Sequence, residues 1–352
     1  MSFNPDDVAV ANGNIFGFPY NEKVSDLIIL PVPWEVTTSY GNGASLGPEA
    51  IRKASTQLDF VDSLLDSPWN YPVYMLPSDD YWQLQNLRLK KLAQQYIHEL
   101  ESGVSNTKHI EIINEINKFS NELNNYIYDT AKNYFHRKKT LCLLGGDHST
   151  PFGLIKFLSE VYDDLTVVQI DAHADLREAY EGFEFSHASI MYNVLHKTNV
   201  KHLVQIGIRD FSPGEKHLIE TDNRITTFYD YDIKRQLFDG KTYAEIVENI
   251  LKSIPTDNVY ISFDIDGLSP DLCPNTGTPV PGGFTFFEIY YFLDRLALSG
   301  KHIVSFDLNE VSPGNNEWDA NVGSRILFKL INIWRYSSIF AKKSNVEKTF
   351  EK

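Results

Sequence analysis

Short apolar runs recur along the chain, and most end abruptly in Gly, Asp, His or Asn. They lie in the stretches 27–32, 140–150 (TLCLLGGDHST), 166–170, 202–215 (HLVQIGIRDFSPGE), 258–270 (NVYISFDIDGLSP) and 301–314 (KHIVSFDLNEVSPG). A continuous Val/Ile/Leu run without alternation is the signature of a strand buried on both faces of a parallel sheet. Residues 223–229 read as a further short strand. Between the runs the spacing changes to that of helices. Pro48 after Gly47 opens a helix over 48–54. Residues 78–138 are helix-forming in two blocks, one holding Trp82, Leu84, Leu87, Leu89, Leu92 and Ile97 and one spanning 110–135, with Gly103 and Asn106 between them. Helices are also expected over 243–253 and 320–336.

Strands alternating with helices predict an α/β fold: a doubly wound, mostly parallel sheet flanked by helices. No linker interrupts it, so a single domain is expected over 26–340. An irregular N-terminal arm (1–25) precedes it and a charged tail (341–352) follows. The 78–138 region reads as a helical elaboration that packs on the surface or against another subunit.

Composition narrows the partners. The chain has 352 residues, 42% of them hydrophobic, which is ample for a core. A net charge of -15 and a pI near 5.1 argue against nucleic acid and leave room for a cationic substrate. No apolar run reaches the length of a membrane span, and the first residues carry no signal-peptide pattern. The cysteines are Cys142 and Cys273, and Cys142 lies inside an apolar strand. A buried thiol in a reducing compartment, the cytoplasm, is therefore expected.

The chemistry sits where the runs end. Asp171, His173 and Asp175 follow the run 166–170 at every second position, with only Ala172 and Ala174 between them. His148 closes the run that starts at 140, and Asp264 and Asp266 close the run that starts at 258. Alternation would put these last two on one face of an extended segment. A lone Asp in such a place reads as a helix cap or a solvated loop residue. Several like charges packed together need a cation among them. Carboxylate and imidazole ligands suit Mn²⁺, with Zn²⁺, Co²⁺, Ni²⁺ or Fe²⁺ as alternatives, and the lack of Cys argues against a structural zinc site. His148, Asp171, His173, Asp175, Asp264 and Asp266 are too many for one small ion and fit two.

In this order GGDHS, DAHAD and SFDID resemble the metal motifs of the ureohydrolases, the family of arginase, agmatinase, guanidinobutyrase, formimidoylglutamase and guanidinase. The resemblance runs from about residue 27 to 330. It implies two Mn²⁺ per subunit (Ni²⁺ or Co²⁺ as alternatives) and hydrolysis of a guanidino C–N bond with release of urea. It places one ion on His148, Asp171, Asp175 and Asp264, and the other on Asp171, His173, Asp264 and Asp266. It also implies that Glu310 orients the guanidinium, Asp175 relays a proton and His187 shuttles it outward. His187 by itself would read as an ordinary loop histidine. Family members are commonly trimers or hexamers, so a homo-oligomer is expected.

The substrate is less legible. Arginases carry Asn where this chain has Arg177, and an acid where it has Ser212. Both differences point toward the agmatinase-like branch and a small guanidino substrate that lacks the amino-acid end. Arg177 is open to three readings: a partner for a substrate carboxylate, or for Glu178, or for Glu181. A dinuclear phosphoesterase would use similar ligands, but the chain shows no Gly-rich phosphate loop before a helix. A homologue that binds metal without activity would be expected to lack one of these residues, and none is missing.

Overall fold

In the computed structural model the described residues are 3–104 and 106–350, with 340–350 described by backbone alone. Eight parallel strands form one sheet: β1 (Leu27–Val32), β2 (Val73–Met75), β3 (Thr140–Gly145), β4 (Leu165–Ile170), β5 (His202–Ile208), β6 (Ile225–Tyr229), β7 (Asn258–Asp264) and β8 (His302–Asn309). Their order is β2-β1-β3-β8-β7-β4-β5-β6. The helices are α1 (Gly47–Ala54), α2 (Asp80–Glu101), α3 (Lys108–His136), α4 (Phe152–Val161), α5 (Ile190–Lys197), α6 (Pro213–Thr221), α7 (Asp230–Phe238), α8 (Tyr243–Lys252), α9 (Phe286–Leu298) and α10 (Trp318–Phe350).

The pleat explains why the strands read as continuous apolar runs. In β1, Leu27 and Ile29 face a core layer that includes Phe292 of α9 and Ile326 of α10. Ile28 and Leu30 face the opposite layer, with Leu89 of α2, Ile127 of α3 and Ile155 of α4. With both faces covered, neither set of alternate residues can be polar.

The central strands β3, β8, β7 and β4 are neighbours. Leu143 pairs with Asp307, Asp264 with Asn309, and Ile170 with Phe263. Their carboxyl ends therefore open side by side where chain connections leave in different directions, the crevice in which open α/β sheets bind ligands.

Several elements depart from the sequence expectation. β2 is only three residues long, too short for a pattern. Helices α4, α5, α6, α7 and α9 were not anticipated. In α4 the run FGLIKFLSEV is apolar on nearly all sides because it is buried; α9 carries a legible capping box, Thr285 with Glu288. The described part of the arm is irregular, as expected, apart from one turn at Ile15–Gly17, but it is packed into the core rather than loose. Ile15, Phe16 and Phe18 are buried, and Phe16 and Phe18 join Phe60 and Phe3 in an aromatic cluster. The Asn14 side chain accepts from Met75 N–H (3.0 Å) and donates to the Val73 carbonyl (3.1 Å), so the arm satisfies the edge strand β2. Helix α10 runs past the expected end to Phe350. The charged tail expected over 341–352 falls on residues whose side chains lie outside the described residues.

Candidate active site

The loops after β3, β4 and β7 bring the six candidate ligands together. His148 Nδ1 stands 3.0 Å from Asp171 Oδ2, 3.1 Å from Asp175 Oδ2 and 3.3 Å from Asp264 Oδ2. His173 Nδ1 stands 3.0 Å from Asp266 Oδ2 and 3.7 Å from Asp171 Oδ1. Two groups thus have the spacing to hold an ion, His148 with Asp171 and Asp264, and Asp171 with His173 and Asp266. Asp171 belongs to both. Asp264 and Asp266 are not brought together by strand alternation. The chain leaves β7 at Asp264 into a tight turn over Ile265–Gly267, and the Asp264 side chain accepts from Asp266 N–H.

The donor set fits a metal. His148 Nε2 lies 2.9 Å from Ser262 Oγ, which in turn donates to Asp307. That contact leaves Nδ1, buried and without a hydrogen-bond partner, aimed at three carboxylates. A lone pair so placed is a ligand geometry rather than a core contact.

The electrostatics agree. Burial works against charge on His173, but Asp266 and Asp171 outweigh it and push it up to about 12. Burial and the neighbouring Asp171 push Asp175 up to about 7, while His148 and His173 outweigh burial to hold Asp171 well below the ordinary range. Crowded acids of this kind favour any cation placed among them.

A ladder of buried amides, invisible in the apolar pattern, supports the loop after β4. Gln169 Nε2 donates to Asp171 Oδ2 (2.8 Å), Gln205 Nε2 donates to Gln169 Oε1 (2.7 Å) and Thr227 Oγ1 donates to Gln205 Oε1 (2.8 Å). Of the motif glycines, Gly145 makes room for the Asn309 and Thr150 side chains and Gly146 for neighbouring backbone. A Cβ on Gly146 would stand 1.9 Å from the Trp34 carbonyl oxygen. Asp147 is turned away from the ligands, and its carboxylate accepts from Ser149 N–H.

An open cavity of about 230 Å³ lies over this cluster. Glu310 is buried in its wall, just beyond β8. Its Oε1 accepts from His148 N–H at 2.8 Å, and burial with nearby Asp147 pushes its carboxyl well above the ordinary range. Glu310 (φ 62°) and Asp175 (φ 55°) both hold the left-handed conformation. For a non-glycine residue this costs about 1–3 kcal/mol and clusters at functional sites. His187 lines the cavity, and burial, then the charges of His173 and His148, lower it to about 4.

Arg177 and Ser212 divide. Arg177 lines the cavity, with Nε 3.5 Å from Glu215 Oε2 and its guanidinium 4.6 Å over the Tyr180 ring. Its ion-pair partner is thus Glu215, and Glu181 feels its charge without pairing to it. Ser212 does not line the cavity. Its hydroxyl accepts from Glu215 N–H as the N-cap of α6. The buried acid at this wall is Glu215, which sequence reading passed over; Asp210 beside it also lines the cavity but is mostly exposed. The spacing Ser-x-x-Glu was a visible capping box, and the cap turns Glu215 inward: its Oε1 accepts from Leu176 N–H at 3.1 Å.

Acids and imidazoles at the carboxyl edge of a parallel sheet, with a buried carboxylate beside them, agree with the ureohydrolase class, enzymes that hydrolyse the C–N bonds of linear amidines. The chain belongs to the Arginase family, whose model matches residues 25–332. That family depends on a binuclear metal site, and the residues above are candidates to hold it. The chain is 28% identical over 310 residues to the N(1)-aminopropylagmatine ureohydrolase of Synechocystis sp., covering 88% of this chain and 89% of that protein. It is 27% identical over 290 residues to an agmatinase of Bacillus anthracis, covering 82% and 84%. The agmatine ureohydrolase of Thermoplasma volcanium shares the fold at a TM-score of 0.67 and 20% identity, covering 91% of this chain and 93% of that one.

Proposed function

We propose that this enzyme releases urea from a guanidino alkylamine of the agmatine type, using two Mn²⁺ ions. The observation that carries this reading is the charge at the wall built from the loops after β4 and β5. There Asp210 and Glu215 face the cavity, and Arg177 is the one Lys or Arg side chain among the described residues that line it. Arg177 engages Glu215, which leaves Asp210, with His173 as its nearest basic neighbour at 4.0 Å, as the acid for one ammonium group once His173 serves as a neutral metal ligand. Arg177 is already engaged by Glu215 and Tyr180, so a substrate carboxylate would have to compete for it. Arginine is disfavoured because Arg177 is occupied and not for lack of an acid, since Glu215 supplies one. Relatives named agmatinase and N(1)-aminopropylagmatine ureohydrolase support the same substrate class.

In this reading His148, Asp171, Asp175 and Asp264 hold one ion, and Asp171, His173, Asp264 and Asp266 hold the other. Bound there, the ions supply a nucleophile made from water near neutral pH. Glu310 holds the guanidinium flat, its own carboxylate fixed by His148 N–H. The overall change is guanidinium plus water to urea plus an alkylammonium, so the leaving nitrogen gains two protons, both from the water, and one must reach it before the C–N bond breaks. Asp175 passes that proton inward, and His187, neutral at pH 7, passes it between the site and solvent.

We also propose a homo-oligomer; Leu84 and Leu87, 65% and 62% exposed on the outer face of α2, support a further contact surface. A single-chain mass by light scattering would refute it. The substrate test is urea release from agmatine, N(1)-aminopropylagmatine, arginine, guanidinobutyrate and guanidine, with Mn²⁺ and then Ni²⁺. The highest kcat/KM should fall to one of the first two, and the highest value for arginine or guanidinobutyrate would overturn the assignment.

A further inference from the structure

None of the described residues of the long α2–α3 hairpin lines the cavity, yet the hairpin grips both loops that form the cavity's mouth. The first is the loop over 33–45, which brings Thr38, Ser39 and Tyr40 to the cavity. The second is the loop over 176–188, which brings Arg177, Tyr180 and His187.

At the first loop, Lys90 of α2 places Nζ 2.6 Å from Glu35 Oε1, and both side chains are largely buried. Glu35 is the hub of its loop. Its Oε2 accepts from Gly43 N–H (2.8 Å) and its Oε1 from Ser45 Oγ (2.9 Å), so one carboxylate ties the two ends of the turn that carries Tyr40. Asn86, one helical turn before Lys90, accepts from Glu35 N–H at 2.8 Å. A buried carboxylate that organises three contacts needs its counter-charge in place.

At the second loop, Tyr96 of α2 donates its hydroxyl to the Glu181 carbonyl at 2.8 Å, and its ring meets Phe183 edge-on at 5.4 Å. Asn117 of α3 donates to the Gly182 carbonyl and accepts from Glu184 N–H. This loop holds two non-glycine residues in the left-handed region, Ala179 (φ 46°) and Glu181 (φ 56°). Such a conformation persists only where surroundings over-determine it, and here the hairpin supplies those surroundings. The two loops also meet, since His187 N–H lies 3.4 Å from Thr37 Oγ1.

We propose that the hairpin is the positioning device of the substrate mouth, with Lys90 setting the 33–45 loop through Glu35 and Tyr96 setting the 176–188 loop through the Glu181 carbonyl. Its meaning for catalysis rests on the reading of the cavity as the guanidino-substrate site. Lys90 and Tyr96 touch neither substrate nor ligands, so their effect falls on binding geometry and not on the metal site.

The test uses Lys90→Met, Lys90→Arg, Tyr96→Phe and, as a control on the same helix, Arg88→Ala. Arg88 pairs with Glu115 on the outer side of the hairpin. Backbone hydrogen exchange should speed up over 36–44 in Lys90→Met and over 178–184 in Tyr96→Phe, and stay unchanged over 146–150 in both. For the best substrate KM should rise about five-fold or more in each, with kcat within about two-fold and metal content at the wild-type level. Lys90→Arg should recover most of the KM, and Arg88→Ala should lower the melting temperature without moving KM. Unchanged exchange in both mouth loops would overturn the proposal, and so would faster exchange with KM unmoved. If the wild-type enzyme released urea from no guanidino compound, the substrate reading would fail by itself, and the exchange result would still decide whether the hairpin holds the loops.

Discussion

The Glu310 carboxylate accepts a 2.8 Å hydrogen bond from the backbone N–H of His148. That contact joins the end of β8 to the loop after β3, which are neighbouring strands, and sets the acid proposed to hold the guanidinium against a candidate metal ligand. In the proposed reading, positioning of the substrate and assembly of the metal site would be coupled through this one peptide group.

Replacing Glu310 tests whether the two are separable. Glu310→Gln keeps an oxygen for the His148 N–H but removes the charge that faces the substrate. We expect metal content to hold and kcat/KM to drop by about 100- to 1,000-fold. Elemental analysis beside a urea assay checks both halves.

Asp171 is shared by the two candidate ion groups. Asp171→Asn should lower the bound divalent ions per chain below one and reduce turnover by more than about 100-fold. Two ions retained per chain would count against a bridging role.

Glu215→Gln keeps the length of the side chain and one of its two acceptors, for Leu176 N–H or for Ser212 N–H. It removes the negative charge beside Arg177. KM for agmatine should rise by roughly 10-fold or more, at about 1–3 kcal/mol for a charged partner lost, while free guanidine should respond far less. Equal changes for both compounds would remove Glu215 from ammonium recognition.

His187 carries a pH signature. Burial lowers its folded-state pKa to about 4, below the usual 6.5. The unfolded chain then binds the extra proton first, so the neutral ring adds stability above pH 6.5 that is lost as pH falls from 6.5 toward 4. His187→Asn should flatten that acid limb by on the order of 1–3 kcal/mol. Denaturant melts at several pH values measure the slope, and an unchanged slope would place the shift elsewhere.

Away from the site, Lys329 is buried with Asp62 at 2.9 Å and with Asp294. Lys329→Met would strand two carboxylates against the core. A loss of about 3–5 kcal/mol is expected, with KM unchanged, readable by thermal melts and steady-state kinetics.

The strands and their chemistry were legible in the sequence because both depend on local order. A strand covered on two faces must be apolar throughout, and the residue that ends it leaves at the sheet's carboxyl edge. GGDHS, DAHAD and SFDID therefore disclosed the cluster of His148, Asp171, His173, Asp175, Asp264 and Asp266 before any coordinates. What only the tertiary structure decided depends on residues distant in the chain. No periodicity reports that Asn14 completes β2, that Gln205 and Gln169 brace Asp171, or that Lys90 meets Glu35. The acid at the cavity wall shows the same division. Position along the sequence pointed to Ser212, but helix α6 begins there, the serine hydroxyl caps it, and the turn carries Glu215 into the cavity instead. A motif fixes which residues follow a strand; the direction each side chain takes is set by backbone turns and by the neighbours that satisfy its hydrogen bonds.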